Sequence, residues 1–374
     1  MNLNVVILGL SITSSWGNGH ATTYRALVKA LAARGHAVTF LERDVPWYRD
    51  NRDLEDPDYC KIGLYSSLTE LAAGYANVVS EADLVILGSY VPDGIAIGDW
   101  VTARAAGLTA FYDIDTPVTL AGLESGAVDY ISPRLIPRFD IYLSFSAGPA
   151  LGLVEDLYGS PMARPLFCSA DVPLQPASPT DLKWSLGYLG TYSEDRQPAL
   201  DRLLLEPARR LKDHSFVVAG SKYPEAVAWP QNVMQTAHLP PGNHAEFYGS
   251  QRFTLNVTRS DMKQLGFSPS VRMFEAAACG TPLISDNWPG IETVFRPGSE
   301  ILVASCERDV VEILSQLPED RRLGFAAKAK VRLLKEHTPA HRAIQLEGYY
   351  REALAHRRPT DRHANRTSEL EEAK

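Results

Sequence analysis

Two parallel α/β sheets in tandem, each wound with helices, are the fold this sequence predicts. Short apolar runs alternate with amphipathic helical stretches through the first half of the chain, and the same alternation returns in the second half. Between the two lies 171–182, DVPLQPASPTDL, rich in Pro and Ser and without periodicity, as in an exposed connection. The length of 374 residues also asks for two domains, because a single core stops growing at roughly 250–300 residues.

The elements follow in order. Asn4 to Gly9 is a continuous apolar run, expected to be a buried strand; the glycine loop SITSSWGNGH and an amphipathic helix from Thr22 to Ala33 come next, with Arg34, Gly35 and His36 as the stop. AVTFLERD reads as a second strand, followed by a helix near Ser66 to Ser80, a strand at Asp83 to Gly88, a helix from about Asp93 to Ala106, and the strand LTAFYDI. AVDYIS, DIYLSF and PLFCSA are expected to add strands before the break. The second series has strands at Ser185–Leu189, Ser215–Ala219, Val233 and Phe253–Val257, with helices at Pro198–Leu211 and near Glu246. The stretch Gly266 to Gly290, GFSPSVRMFEAAACGTPLISDNWPG, then supplies a loop, a helix and a strand. Helices at Leu317–Lys335 and Ala340–Ala355 close the chain. The expected organisation is a first domain over 1–170, the linker 171–182, a second domain over 183–338, a helix 339–356 returning to the first domain, and a polar tail 357–374 too poor in apolar groups to order itself.

Composition excludes several classes. Hydrophobic content of 45% and charged content of 22% belong to a soluble globular chain. A net charge of −8 argues against general nucleic-acid binding, whose affinity comes from Lys and Arg neutralising phosphates. Cys60, Cys168, Cys279 and Cys306 form no C-x-x-C pair, so thiols in a reducing compartment are expected rather than a zinc site. The start MNLNVVILGLSITSSW has neither a basic n-region nor an apolar run long enough to span a membrane. A cytoplasmic protein is expected.

The chemistry concentrates in Gly266–Gly290. A Gly/Ser/Pro loop opening a helix gathers free N–H groups and a positive dipole end, which suits a phosphate. Ser268 and Ser270 are expected to add donors there. Arg272 and Glu275, three apart, share a helix face, so Arg272 is a candidate ion-pair partner of Glu275 and a candidate cation for a diphosphate, roles that do not exclude one another.

The second half, with GYLGTYSEDR, VVAGSKYP, LNVTRSD, GFSPSVRMFEAAACGTPLISDNWPGIETVF and PGSEILV in order, resembles the carboxyl-terminal domain of GT-B glycosyltransferases, and in detail the spore-protein CgeB-like group. FYDIDTPVTL in the first half is similar to that group too, so the resemblance runs to about His356. It implies metal-independent transfer of a sugar, of the hexosyltransferase kind, from a nucleoside diphosphate sugar (UDP-, GDP- or dTDP-linked) to an acceptor hydroxyl. No permanently bound cofactor is expected, and the acceptor is left open among protein, glycan and small molecule. The resemblance makes Glu275 the holder of the ribose hydroxyls and places Gly190, Thr191 and Arg196 at the diphosphate or sugar, Gly220 and Ser221 at the base, and Arg259 on the same rim. Asp286 is expected in a loop closing on the sugar, and Trp288 in the same loop is a candidate for stacking. Phe267 stands eight residues before Glu275, where the retaining enzymes have a second Glu, so the stereochemical course stays open.

In the first domain the loop Gly17, Asn18, Gly19 is expected on the acceptor side; Thr22 leaves the dinucleotide fingerprint incomplete. His20 is a candidate general base or a mere loop cap. Asp113 and Asp115, in YDIDTP, look like a metal-binding D-x-D but lie in the wrong domain for one, and are expected at the cleft, one of them as base, with helix capping by Asp115 as the alternative. Two other functions stay in view: a nucleotide-sugar epimerase or hydrolase on the same fold, and a sugar-nucleotide-binding protein without catalysis.

Overall fold

The computed structural model describes residues 1–17, 19–170 and 181–357. Asn18, most of the expected linker and nearly all of the expected tail lie outside the described residues. Among those described, the first sheet contains β1 (Asn4–Gly9), β2 (Ala37–Arg43), β3 (Lys61–Tyr65), β4 (Leu84–Gly88), β5 (Leu108–Asp113), β6 (Ile141–Ser144) and β7 (Ala163–Pro165), in the order β3-β2-β1-β4-β5-β6-β7. The second contains β8 (Trp184–Leu189), β9 (Phe216–Ala219), β10 (Val233–Thr236), β11 (Gln251–Asn256), β12 (Leu283–Ser285) and β13 (Leu302–Val303), in the order β10-β9-β8-β11-β12-β13. Every pairing is parallel, with Ile7 registered between Phe40 and Ile86 at the centre of the first sheet. In each sheet the winding reverses beside the first strand, at β1/β4 and at β8/β11, and crevices for ligands open at such points beyond the strand ends.

The apolar runs become strands because helices cover both of their faces, so no polar alternation is needed. Val5 to Leu8 and Leu84 to Leu87 are almost wholly covered. Two expected strands do not form as read, one strand was not expected, and one expected helix is interrupted. AVDYIS is a loop whose Tyr130 and Ile131 fill the core beneath the helix Gly94–Arg104, so its apolar residues reflect burial rather than strand pairing. Of PLFCSA only Pro165 belongs to a strand. The half-covered edge strand β3 has too short a run to stand out. The expected helix Pro198–Leu211 contains a wide π turn over Asp201–Leu205, placed before Pro207, which has no N–H to return to Leu203.

The helix Pro339–His356 lies against the helix Gly19–Ala33 of the first domain. Its Ala343, Leu346, Tyr350 and Ala353 share a core with Leu27, Leu31 and Val38. Glu347 fixes the register, accepting from Arg34 Nε at 2.5 Å and lying 3.0 Å from His36 Nε2. His36 Nδ1 accepts from the Leu3 amide at 3.1 Å, so Nε2 carries the proton that faces Glu347.

Candidate active site

The two switch points face one another across a cavity of about 420 Å³, lined by both domains. The second-domain wall is built around Arg272 and Glu275 on the helix Val271–Cys279, whose small residues Ala276, Ala277 and Ala278 let it sit deep against the sheet. Arg272 is only 6% exposed. Its Nε donates to the Leu189 carbonyl at 2.5 Å, its Nη1 to Asn256 Oδ1 at 2.8 Å, and its guanidinium lies 4.7 Å above the Tyr188 ring. All these partners are neutral, and among the described residues no carboxylate pairs with it. Arg272 is therefore not the ion-pair partner of Glu275 and brings an uncompensated positive charge to the cleft.

Glu275, 2% exposed, is held instead by a pair that the sequence reading missed. His244 Nδ1 lies 2.9 Å from Oε1, and Tyr248 Oη donates to Oε2 at 2.8 Å. His244 and Tyr248 are four apart on the helix His244–Gly249, hence on one face, a spacing that was legible but carried no chemistry until Glu275 was opposite. Asn256, also missed, ties Ser270 to Arg272, since its Oδ1 accepts from both.

Of the residues singled out in sequence, Gly17, Gly19, His20, Asp115, Gly190, Thr191, Arg196, Gly220, Ser221, Arg259, Ser268, Ser270, Arg272 and Glu275 line the cavity. Some face it differently from expectation. The Ser268 and Ser270 hydroxyls turn to Ser146, the Gly266 carbonyl and Asn256, so they shape the loop rather than offering free hydroxyls. A Cβ on Gly220 would strike the Gly190 carbonyl, so this glycine permits strand-end packing before any ligand arrives. Arg196 donates through Nη2 to the Thr191 carbonyl at 2.7 Å, and its buried Nε has no partner among the described residues.

Three expectations are corrected. Asp113 does not face the cleft: it is fully buried, taking hydrogen bonds from Tyr142 at 2.5 Å, Thr119 at 2.9 Å and the Asp115 amide at 3.2 Å. Strand β5 ends there and the chain turns, so Asp115 alone reaches the cavity. Asp286 is 2% exposed and accepts from the Thr258 amide and hydroxyl and from Lys263, pinning the turn after β11. Trp288 is buried in the second-domain core and stacks on nothing in the cleft.

Asp115 meets Tyr90 and Arg259. Tyr90 Oη donates to Asp115 Oδ2 at 3.0 Å, and Arg259 reaches the same oxygen from the second domain at 3.5 Å. Tyr90 holds a left-handed backbone, φ 64°, an unusual state for a bulky residue and one that gathers at functional sites. Burial raises the Asp115 pKa to about 6 against the pull of Arg259 and Tyr90. Burial lowers the His20 pKa to about 3, which keeps its ring neutral and a feeble base. Among the described residues no group of three His, Cys, Asp or Glu side chains is placed to hold a metal ion, and no helix is long and apolar enough to cross a membrane.

Residues 196–348 match the family described as glycosyl transferase-like. That stretch, most of the second domain, is a glycosyl transferase-like domain, and the chain as a whole has the GT-B fold. Sucrose-phosphate synthase from Thermosynechococcus elongatus superposes with a TM-score of 0.68 at 14% identity, covering 94% of this chain and 100% of its own. HepE of Anabaena, solved with UDP and glucose, gives 0.67 at 11% identity over the same shares. An alpha-glucosyltransferase in complex with UDP-glucose and DNA containing an abasic site gives 0.70 at 14%, again over 94% and 100%. No curated protein matches the chain in sequence. At such identities the neighbours establish its fold, two Rossmann-like domains around one cleft.

Proposed function

We propose that this chain is a glycosyltransferase that moves a hexosyl group from a UDP-sugar to an acceptor hydroxyl, with arginines rather than a resident metal ion meeting the charge of the leaving diphosphate. The observation that carries this reading is Arg272, a buried guanidinium held by neutral acceptors at the cleft wall, with its charge left for an anion. Arg196 and Arg259 line the same cavity. The Asp113–Asp115 pair offers no chelate, since Asp113 already accepts from three donors inside the domain. UDP is favoured among nucleotides because HepE and the alpha-glucosyltransferase were solved with UDP or UDP-glucose. On its motifs we place the chain in the CgeB-like group.

In this reading Glu275 accepts from the ribose hydroxyls with the lone pairs that His244 and Tyr248 leave open. Asp115 takes the acceptor proton as the acceptor oxygen bonds to the anomeric carbon; the bond from that carbon to the phosphate oxygen breaks and UDP leaves toward the arginines. Purified protein given UDP-glucose, GDP-mannose and dTDP-glucose tests the proposal. Slow release of UDP, accelerated by a sugar or hydroxyl acceptor, is expected; recovery of an altered nucleotide sugar would instead mark an epimerase, and tight binding without turnover a sensor.

A further inference from the structure

The geometry points to His244 as a positioning residue for the donor nucleotide: held as an imidazolium between Glu275 and the Leu239 carbonyl, it fixes the ribose-binding carboxylate, so nucleotide affinity falls when it loses its proton. The inference rests on reading the cleft as a nucleotide site. Both ring nitrogens face acceptors, Nδ1 meeting Glu275 Oε1 at 2.9 Å and Nε2 meeting the Leu239 carbonyl at 3.3 Å. A neutral imidazole has a single N–H and can satisfy only one of them. Either neutral tautomer turns a lone pair toward an oxygen, and the ring or the carboxylate must move. Tyr248 holds the other carboxylate oxygen, so the two helix residues together set the plane of Glu275.

Glu275 is the charged group that acts on the ring, Tyr248 on its own helix has its ring centroid 6.4 Å away, and Arg272, Cys168 and His238 line the same cavity. Burial pulls the His244 pKa down, but the charge and hydrogen bond of Glu275 and the Leu239 carbonyl outweigh it and hold it above the ordinary value. A raised histidine pKa places the contribution fully below the ordinary value of about 6.5 and removes it as pH climbs through the raised one. The expected sign is therefore weaker binding at alkaline pH.

UDP binding measured by calorimetry from about pH 6 to about pH 9 brackets that range. Wild-type affinity is expected to fall by roughly 5- to 30-fold, the worth of one charge-assisted hydrogen bond. His244→Asn, whose amide can still donate to Glu275, should lose that fall; comparing the two proteins cancels the titration of UDP itself. Tyr248→Phe should bind more weakly yet keep the pH dependence, which separates loss of a contact from loss of the proton. In the ligand-free chain, an NMR titration should place the His244 pKa above that of an exposed histidine, and Glu275→Gln should bring it down. If His244→Asn follows the wild-type profile while UDP still binds, this inference fails alone; if UDP binds at no pH, the nucleotide reading fails with it.

Discussion

Arg272 and the two aspartates of YDIDTP show how much a single side chain's surroundings decide. Replacing Arg272 by Ala removes a cation that no carboxylate among the described residues pairs with, and calorimetry should show UDP binding weakened roughly 10- to 100-fold, the range of a hydrogen bond to a charged group. Asp113→Asn should lower the melting temperature and leave UDP affinity near wild type, since Asp113 serves Tyr142 and Thr119 inside the domain. Asp115→Asn should do the reverse in kind: stability and UDP affinity largely kept, transfer rate down by about 10²–10⁴. Because Asp115 must be ionised and titrates near about 6, kcat/KM should rise with pH through that value; the alkaline limb belongs to His244, and His244→Asn should remove that limb alone. Residues two apart at a strand's end look equivalent in a sequence. Only the turn after β5 separates a buried structural carboxylate from one at the cleft. Arg272 and Glu275 were legible because their spacing on a helix is fixed, whereas their partners His244, Tyr248 and Asn256 come from other elements, which no spacing reveals.

At the scale of elements, the loop after β1 is held from below by Glu42 of β2. This carboxylate is fully buried and accepts from the Ser11 and Thr13 hydroxyls at 3.0 and 2.7 Å and from the Ile12 and Thr13 amides at 2.7 and 3.0 Å. Four donors converge on two oxygens, a set that only a carboxylate satisfies. Glu42→Gln would turn an NH₂ group toward two of those donors; a loss on the order of 2 kcal/mol is expected in a denaturant titration. Parallel strands covered on both faces announce themselves as apolar runs, which made β1, β4 and β5 easy to read. AVDYIS has the same look and pairs with nothing, because core-filling loops and buried strands draw on the same residues. The glycine loop ahead of the Gly19–Ala33 helix was visible in sequence; that its shape depends on Glu42, some thirty positions on, was not.

On the scale of the whole molecule, contacts across the cleft join the two halves: the Ala147 amide donates to the Phe267 carbonyl at 3.0 Å, and the Ser146 and Ser268 hydroxyls meet at 2.6 Å. Phe267, with φ 52°, wedges its ring between Gly148 of one domain and Gly290 of the other. The returning helix joins them again through Glu347. Its hydrogen bond from Arg34, then that from His36 and the charges of both, outweigh burial and hold its pKa down at about 2. A depressed carboxylate contributes stability above its ordinary value of 4.5, lost as pH falls from there toward about 2. Glu347→Gln should thus flatten the acid limb of a stability-against-pH curve, checked by chemical denaturation at a series of pH values.

Among the described elements that helix is also the last to be synthesised. The apolar face of the Gly19–Ala33 helix is covered by Ala343, Leu346, Tyr350 and Ala353, so it waits uncovered while the whole second domain leaves the ribosome, on the order of ten seconds or more at ordinary elongation rates. Nascent chains halted before Pro339 should stay open to protease and to chaperones in their first domain, even with every strand of that sheet already made, and should close once residue 356 has emerged.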